Sequence, residues 1–107
     1  MQLIKKNLTF LKAVAELPKK QAQQLLLYTT REQTDAIAEI AHNLLAKVLH
    51  LSDEHITPLK IHKLLIRKLA DHTNTQSHRK LQKYLANKVQ GVSFMLRSTL
   101  PRIEKAL

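Results

Sequence analysis

The chain has 107 residues and a mass of 12.3 kDa, with 18 Lys and Arg against 8 Asp and Glu, which gives a net charge of +10. This length holds a single domain, and the absence of Cys excludes disulfides, thiolate metal sites and a Cys nucleophile. One Gly is too few for any glycine-rich phosphate loop. With 44% hydrophobic residues the chain can form a packed core, and the excess of cations predicts an anionic partner.

The first part of the chain predicts two helices. Its composition, rich in Leu, Ala and Lys with three Pro, is typical of short helices joined by turns. Apolar periodicity predicts the first helix over residues 3–16 and the second over 18–28, where Pro18 suits the first helical turn. Lys19 and Lys20 then lie at the end where the helix dipole disfavours cations, which suggests a role other than local stability.

The middle of the chain carries the clearest helix start. Residues 30–33 have the form of a capping box, in which Thr30 and Gln33 satisfy each other's backbone amides. A central helix is predicted from there to residue 50. A fourth helix is predicted over 58–70, with Thr57 as its N-cap and Pro58 at its first position.

The last part of the chain predicts a fifth helix over 76–88 after a polar break at 71–75. Gly91 is expected to end this helix or begin a turn, and Pro101 to split the remaining tail. The predicted fold is therefore all-α, a single compact bundle of about five to six short helices over residues 1–107. Alternatively, residues 92–107 form a separate docking tail outside the bundle.

The basic charge is concentrated in the second half of the chain. Residues 1–30 hold five basic and one acidic residue (+4), residues 31–57 hold two and five (−3), and residues 58–107 hold eleven and two (+9). Lys5, Lys6, Lys12, Lys19 and Lys20 are expected to extend the basic surface of the second half.

Cations on the fourth and fifth predicted helices recur at helical spacing, on faces away from the apolar residues. On the fourth helix that apolar stripe is Ile61, Leu65 and Leu69. Because Lys and Arg displace counterions from phosphates regardless of base sequence, two consecutive basic faces predict a site for a nucleic-acid backbone. The alternative is a pair of solvated faces, but such faces usually mix both signs of charge. The predicted nucleic-acid-binding residues are Lys60, Lys63, Arg67, Lys68, Arg79, Lys80, Lys83 and Lys88.

Two other modes of nucleic-acid recognition are less favoured. A helix-turn-helix could be formed by the fourth and fifth helices, but the break between them lacks Gly and exceeds the usual 3 to 4 residues. Stacking on single-stranded bases needs exposed aromatic side chains. The four aromatic residues fall near apolar stripes and are expected in the core: Phe10, Tyr28, Tyr84 and Phe94.

Catalytic and metal-binding patterns are not found. The six His include no pair at i, i+4 on one predicted helix, so His50 and His55 with Asp53 or Glu54 would be the remaining candidate for a zinc loop. We predict no enzyme activity, no metal and no cofactor. No apolar run approaches the roughly 20 residues of a membrane span, and no signal peptide is evident, so an intracellular location is expected.

Several runs of the sequence resemble a known family. They are FLKA at residues 10–13, QLLL at 24–27, TREQ at 30–33, AEIAHNLL at 38–45, KLLIRKLA at 63–70 and RKL at 79–81. Across about residues 8–90 the chain resembles the short basic helical proteins of Maverick/Polinton elements and their adintovirus-like relatives. That resemblance implies a virion or genome-associated component of an integrated double-stranded DNA virus. The family pattern has a Gly-Gly step and a very apolar tail, whereas this tail carries Arg97, Arg102 and Lys105, so a membrane-active or capsid-anchoring tail is not implied here.

The predicted function is therefore non-enzymatic binding and condensation of nucleic acid. The expected ligand is the backbone of double-stranded DNA, bound without sequence preference in the nucleus or virion of a virus-like mobile element. The main alternative is a protein-interaction or self-assembly module, in which residues 92–107 dock on a second copy or a capsid partner. Peripheral membrane binding through the same tail is the least favoured.

Overall fold

Helices account for nearly all of the residues that the computed structural model describes, which are 2–45, 59–71 and 77–106. Seven α-helices lie in these ranges, and a 3-10 turn, Lys60–His62, leads directly into the fifth. The predicted all-α bundle is confirmed, with more and shorter elements than expected. In chain order the helices are α1 (Gln2–Lys6), α2 (Leu8–Glu16), α3 (Lys19–Leu27), α4 (Arg31–Leu45), α5 (Lys63–Ala70), α6 (His78–Asn87) and α7 (Val89–Ala106).

The bundle is assembled from three main helix pairs. Helix α4 packs against α5, α2 against α7 and α3 against α6, while α1 lies on α4. Every helix contributes at least one fully buried apolar side chain, and each such burial is worth roughly 1.5–3 kcal/mol. These residues include Ile4, Leu11, Leu26, Ile37, Leu69, Leu85 and Met95. One core therefore holds all seven described helices in fixed positions.

The predicted first helix is divided at Asn7. The Asn7 side-chain amide donates a hydrogen bond of 2.8 Å to the carbonyl oxygen of Leu3, and its backbone leaves the helical region at φ −109° and ψ 19°. Asn side chains compete in this way with the backbone for local carbonyls. Apolar periodicity continues across the break, which is why the sequence predicts a single helix.

The capping box at the start of α4 is confirmed. The Thr30 amide donates to Gln33 Oε1 at 2.9 Å, and the Gln33 amide donates to Thr30 Oγ1 at 3.0 Å. Two amides that the first turn leaves without helical partners are thereby satisfied.

Gly91 and Pro101 both lie inside α7, so the predicted ends at these residues are wrong. At Gly91, a Cβ atom would lie 2.6 Å from Leu65 Cδ2 and 3.0 Å from His62 Nδ1. The glycine is therefore needed for close approach between helices rather than for a turn. Pro101 removes one backbone donor, but its ring is exposed and buried Ile103 continues the apolar face beyond it.

The tail from residue 92 onward is built into the core. It packs along α2, and Ser93 Oγ donates a hydrogen bond of 2.9 Å to the carbonyl oxygen of Val14. Its buried apolar side chains are Val92, Met95, Leu96, Leu100 and Ile103. A docking role for this tail would require the removal of these side chains from the core.

Several predictions concern residues outside the described ranges. These are the end of the central helix beyond Leu45, the Thr57–Pro58 start of the fourth predicted helix, the zinc loop around His50 and His55, and most of the polar break at 71–75. Among the described residues, no helix is long and apolar enough to cross a membrane.

Candidate nucleic-acid interface

All eight cations of the predicted interface are exposed. Lys60 lies on the 3-10 turn, and Lys63, Arg67 and Lys68 lie on α5. Arg79, Lys80 and Lys83 lie on α6, and Lys88 lies at the junction of α6 with α7. The sequence pattern thus identified side chains that are available to a ligand on two neighbouring segments of the bundle.

The exposed side of α5 and its 3-10 turn has a cationic and an apolar part. Lys60, Lys63 and Arg67 form the cationic part, whereas Ile61 and Leu64 are 84% and 80% exposed. The assignment of Ile61 to the buried stripe is wrong, although Leu65 and Leu69 are buried as predicted. In a 3-10 turn residues at i and i+3 eclipse each other, so the turn at 60–62 aligns Ile61 with outward-facing Leu64.

Helices α5 and α6 meet through Lys68 and Tyr84. The Lys68 Nζ atom lies 4.1 Å from the centroid of the Tyr84 ring, a cation–π contact worth about 0.5–1 kcal/mol at an exposed site. Desolvation of Tyr84 raises the pKa of its phenol above the ordinary 10.0. Because α5 packs mainly on α4 and α6 mainly on α3, the packed helix pair of a helix-turn-helix is not the arrangement observed.

Ion pairing distinguishes these cations from Lys6 and Lys12. Between described residues, Lys6 lies 3.8 Å from Glu32 and Lys12 lies 2.8 Å from Glu104, and neither pair includes a predicted interface residue. The pKa of Lys12 is raised above the ordinary 10.5, mainly by its hydrogen bond to Glu104 and next by the negative charge of that carboxylate. The sequence predicts that Lys6 and Lys12 extend the basic surface. In the structure, each of them contacts a carboxylate.

Arg79 is exposed but already hydrogen-bonded. Its guanidinium donates to the Leu27 carbonyl at 3.1 Å and to Gln82 Oε1 at 3.4 Å. Next to it, the Thr29 carbonyl accepts bonds from His78 Nε2 at 2.8 Å and from Gln82 Nε2 at 2.7 Å. The start of α6 is thereby fastened to the end of α3, which fixes the directions in which the other α6 cations project.

A surface groove that the sequence did not indicate runs beside the predicted interface. We call it the lateral groove, and it consists of two adjoining clefts of about 350 and 380 Å³ that share Lys19, His62, Val89 and Gln90. The first cleft also includes Ile61, Leu64, Tyr84 and Lys88, and the second includes Leu17, Phe94 and Arg97. Two features of the sequence belong to this groove without predicting it: Lys19, at the unfavourable end of α3, and Gly91, the single glycine of the chain.

The aromatic residues are only partly where the sequence predicts them. Phe10, Tyr84 and Phe94 are half-buried against the core, and the His62 ring lies 5.5 Å from the Phe94 ring. Tyr28, in contrast, is 75% exposed at the end of α3, so its expected burial is wrong.

The described residues contain no group of three or more His, Asp or Glu side chains placed to hold a metal ion. Comparisons of the chain with protein-family models, with curated proteins and with solved structures give no match. Functional inference therefore depends on the surface itself.

Proposed function

We propose that this protein binds the phosphate backbone of nucleic acid, with double-stranded DNA as its ligand. The observation that carries the proposal is the set of eight exposed cations on α5, α6 and their flanking residues, none of which belongs to either ion pair between described residues. Cations that lack carboxylate neighbours keep their full attraction for phosphates and can displace condensed counterions.

The spacing of the α5 cations suits a row of phosphates. Lys60 and Arg67, with Lys63 between them, lie seven positions apart, which corresponds to roughly 10 Å along a helix. Phosphates of one DNA strand follow each other every 3.4 Å or so along the duplex axis, so this row matches about three of them. The α6 cations, joined to α5 at the Lys68–Tyr84 contact, would add a second set.

Binding without sequence preference follows from what the polar side chains of α6 already do. Base edges are read mainly by Arg, Asn and Gln through paired hydrogen bonds. The Arg79 guanidinium donates to the Leu27 carbonyl, and the buried Gln82 amide donates to the Thr29 carbonyl. The two interface lysines of α6, Lys80 and Lys83, bind phosphate as simple point charges.

The resemblance to Maverick/Polinton proteins supports a setting for this activity. A small basic protein that coats DNA without reading it would serve in condensing the genome of a virus-like element, in the nucleus or in the virion core. We propose no catalytic role.

A salt titration tests the proposal. Two duplexes of equal length and unrelated sequence are titrated with the protein in gel-shift assays between 50 and 200 mM salt. We expect equal affinity for both and, with six to ten phosphates neutralised, a fall of roughly 10³–10⁵ across this range. Binding that does not respond to salt, or no retardation at low salt, would contradict the proposal.

A pair of matched triple variants locates the interface. The first replaces Lys60, Lys63 and Arg67 with Gln, and the control replaces Arg31, Arg102 and Lys105, which are also exposed and lie on α4 and α7. Each phosphate contact removed should lower the salt slope by about 1, so the first variant should lose about 3 and the control nothing. Equal losses in both would mean that binding follows net charge rather than this surface.

A further inference from the structure

The lateral groove exposes aliphatic side chains that none of the described residues covers. Ile61 and Leu64 are 84% and 80% exposed, and they project from adjacent turns into the same cleft. Isolated apolar residues on a surface are ordinary, but a contiguous apolar patch with a polar rim marks an interaction surface. Leu17, which is 38% exposed, adds an aliphatic side chain to the second cleft.

The shape of the groove is fixed by packing beneath it. His62 and Leu65 fit into the space above Gly91, and the His62 ring lies against Phe94. This contact holds the 3-10 turn on α7, so that Ile61 and Leu64 face outward. A partner would therefore meet a preorganised surface, which reduces the entropy lost on binding.

Positive charge surrounds the aliphatic side chains of the groove. Lys19 enters from α3, Lys88 from the α6–α7 junction and Arg97 from α7, and none of the described residues that line the two clefts is acidic. Lys19 also stands at the N-terminal end of α3, where the helix dipole adds to the positive potential. The complementary occupant carries carboxylates around an apolar stripe.

We propose that the lateral groove binds an acidic amphipathic helix of a partner protein. Such a helix would place apolar side chains at i, i+3, i+4 and i+7 on Ile61, Leu64 and Leu17, with flanking Glu or Asp side chains against Lys19, Lys88 and Arg97. This activity goes beyond the proposed binding of nucleic acid, because it uses the apolar part of the exposed α5 surface rather than the row of Lys60, Lys63 and Arg67.

Other occupants fit the groove less well. Bases stack on open aromatic faces, whereas the Tyr84 ring is capped by Lys68 and the His62 and Phe94 rings lie against each other. A second copy of the chain brings a further net charge of +10 to a surface that is already cationic. An acidic partner gains from both the charge and the apolar contact.

The test uses the full chain and three synthetic peptides labelled for fluorescence anisotropy. The first is a helix with Leu at i, i+3, i+4 and i+7 and Glu on its flanks, the second has the same composition in scrambled order, and the third carries Lys in place of Glu. We expect the first peptide to bind at least about tenfold more tightly than either control, because only it presents both an apolar stripe and carboxylates.

Two matched double variants locate the binding site of the first peptide. Ile61→Ser with Leu64→Ser should weaken binding of the first peptide by about tenfold or more, since two aliphatic contacts are lost. Lys60→Gln with Lys63→Gln alters the cationic part of the same segment and should weaken peptide binding much less than the loss of Ile61 and Leu64 does. Because all four side chains are exposed, circular dichroism and thermal unfolding should show both variants folded as the parent. Replacing Lys19 and Arg97 with Gln should weaken peptide binding and reduce its salt dependence.

Several results would overturn the proposal. These are equal binding of the scrambled peptide, or peptide binding that survives the loss of Ile61 and Leu64. Sedimentation showing a dimer that the Ile61→Ser and Leu64→Ser variant dissociates would assign the groove to a second copy. If the first peptide does not bind, the groove could still be assigned to another ligand. That ligand would be an anionic membrane or single-stranded nucleic acid if the parent pellets with anionic vesicles, or binds a single-stranded oligonucleotide, and this variant does not. Duplex affinity should be the same in this variant as in the parent, so failure here is distinguishable from failure of nucleic-acid binding.

Discussion

Lys6 and Lys12, in the first half of the chain, have a different environment from the eight predicted interface cations of the second half. In the first half, Lys6 of α1 contacts Glu32 of α4, and Lys12 of α2 contacts Glu104 of α7, so each ion pair links two helices. In the second half the eight predicted interface cations form no such pair with any carboxylate of the described residues. Residues 58–107 contain only two acidic residues, and one of them, Glu104, is bound to Lys12. The positions of a few carboxylates thus decide whether a cation stabilises the fold or remains available to a ligand.

The largest expected effect is found between two variants that lose the same charge: one should lose duplex affinity and the other thermal stability. Lys80→Gln with Lys83→Gln should weaken duplex binding by roughly tenfold and reduce the salt slope by about 2, with no change in thermal stability. Lys6→Gln with Lys12→Gln removes the same charge and should leave duplex affinity close to that of the parent while lowering the melting temperature. Gel shifts and thermal unfolding of both variants provide the comparison. Equal loss of affinity in the two would show that the halves do not differ in function.

Gly91→Ala tests the packing that supports the second half. Its new methyl group must displace the buried Leu65 side chain, an overpacking cost of about 1–3 kcal/mol, against a gain of about 0.5–1 kcal/mol from better helix propensity. We expect a net loss of about 1–2 kcal/mol in the free energy of unfolding, measured in urea. Gln90→Ala is the control, because residue 90 is exposed on the same helix and should change stability by less than about 0.5 kcal/mol. A Gly91→Ala variant as stable as the parent would mean that the contact is loose.

Gly91 also shows where prediction from the sequence ends. Local patterns predicted the helical class, the capping box at Thr30 and the exposed cations of the second half, because each depends on residues within one or two turns. Gly91 and Pro101 were predicted to end helices for the same local reason, but close approach of Leu65 in one case and continued burial through Ile103 in the other outweigh those preferences.

The candidate sites differ in the same way. The row of Lys60, Lys63 and Arg67 is a helical spacing and can be read from the sequence. The lateral groove combines Lys19 from α3 with Arg97 from α7, so only the packing of the bundle brings its parts together. Ile61 was wrongly assigned to the buried stripe because a 3-10 turn changes the angle between successive side chains, and no local sequence motif predicts that turn.

A smaller effect separates two neighbouring cations on α6. Arg79 donates to the Leu27 carbonyl at the end of α3, whereas the exposed Lys80 side chain makes no hydrogen bond to another described residue. Arg79→Ala should lower the free energy of unfolding by about 0.5–1.5 kcal/mol, and Lys80→Ala should leave it within about 0.5 kcal/mol of the parent. Both should weaken duplex binding. If Lys80→Ala proved the more destabilising in urea unfolding, the assignment of Arg79 as a link between α6 and α3 would be wrong.

The smallest expected effect concerns the Lys12–Glu104 pair and its pH dependence. The hydrogen bond to Glu104 raises the pKa of Lys12 in the folded chain above 10.5, so the folded state holds this proton more tightly than the unfolded state. The stabilisation is therefore complete below the pKa of an unfolded lysine and is lost as pH rises through the higher folded value. Because the two side chains are 47% and 37% exposed, salt should weaken this stabilisation as well.

Comparison of the parent with Lys12→Gln isolates this contribution from other alkaline effects. The parent should have a slightly higher melting temperature at neutral pH, and the difference should close above about pH 10.5. Tyr84 also has a raised pKa, so its ionisation destabilises the fold in the same alkaline range, but it does so in both proteins and cancels from the difference. Lys105→Gln, which alters the neighbour of Glu104 without touching the pair, should show no such closure. A difference between parent and Lys12→Gln that persists unchanged into strong alkali would trace it to lost packing of the lysine stem instead of its charge.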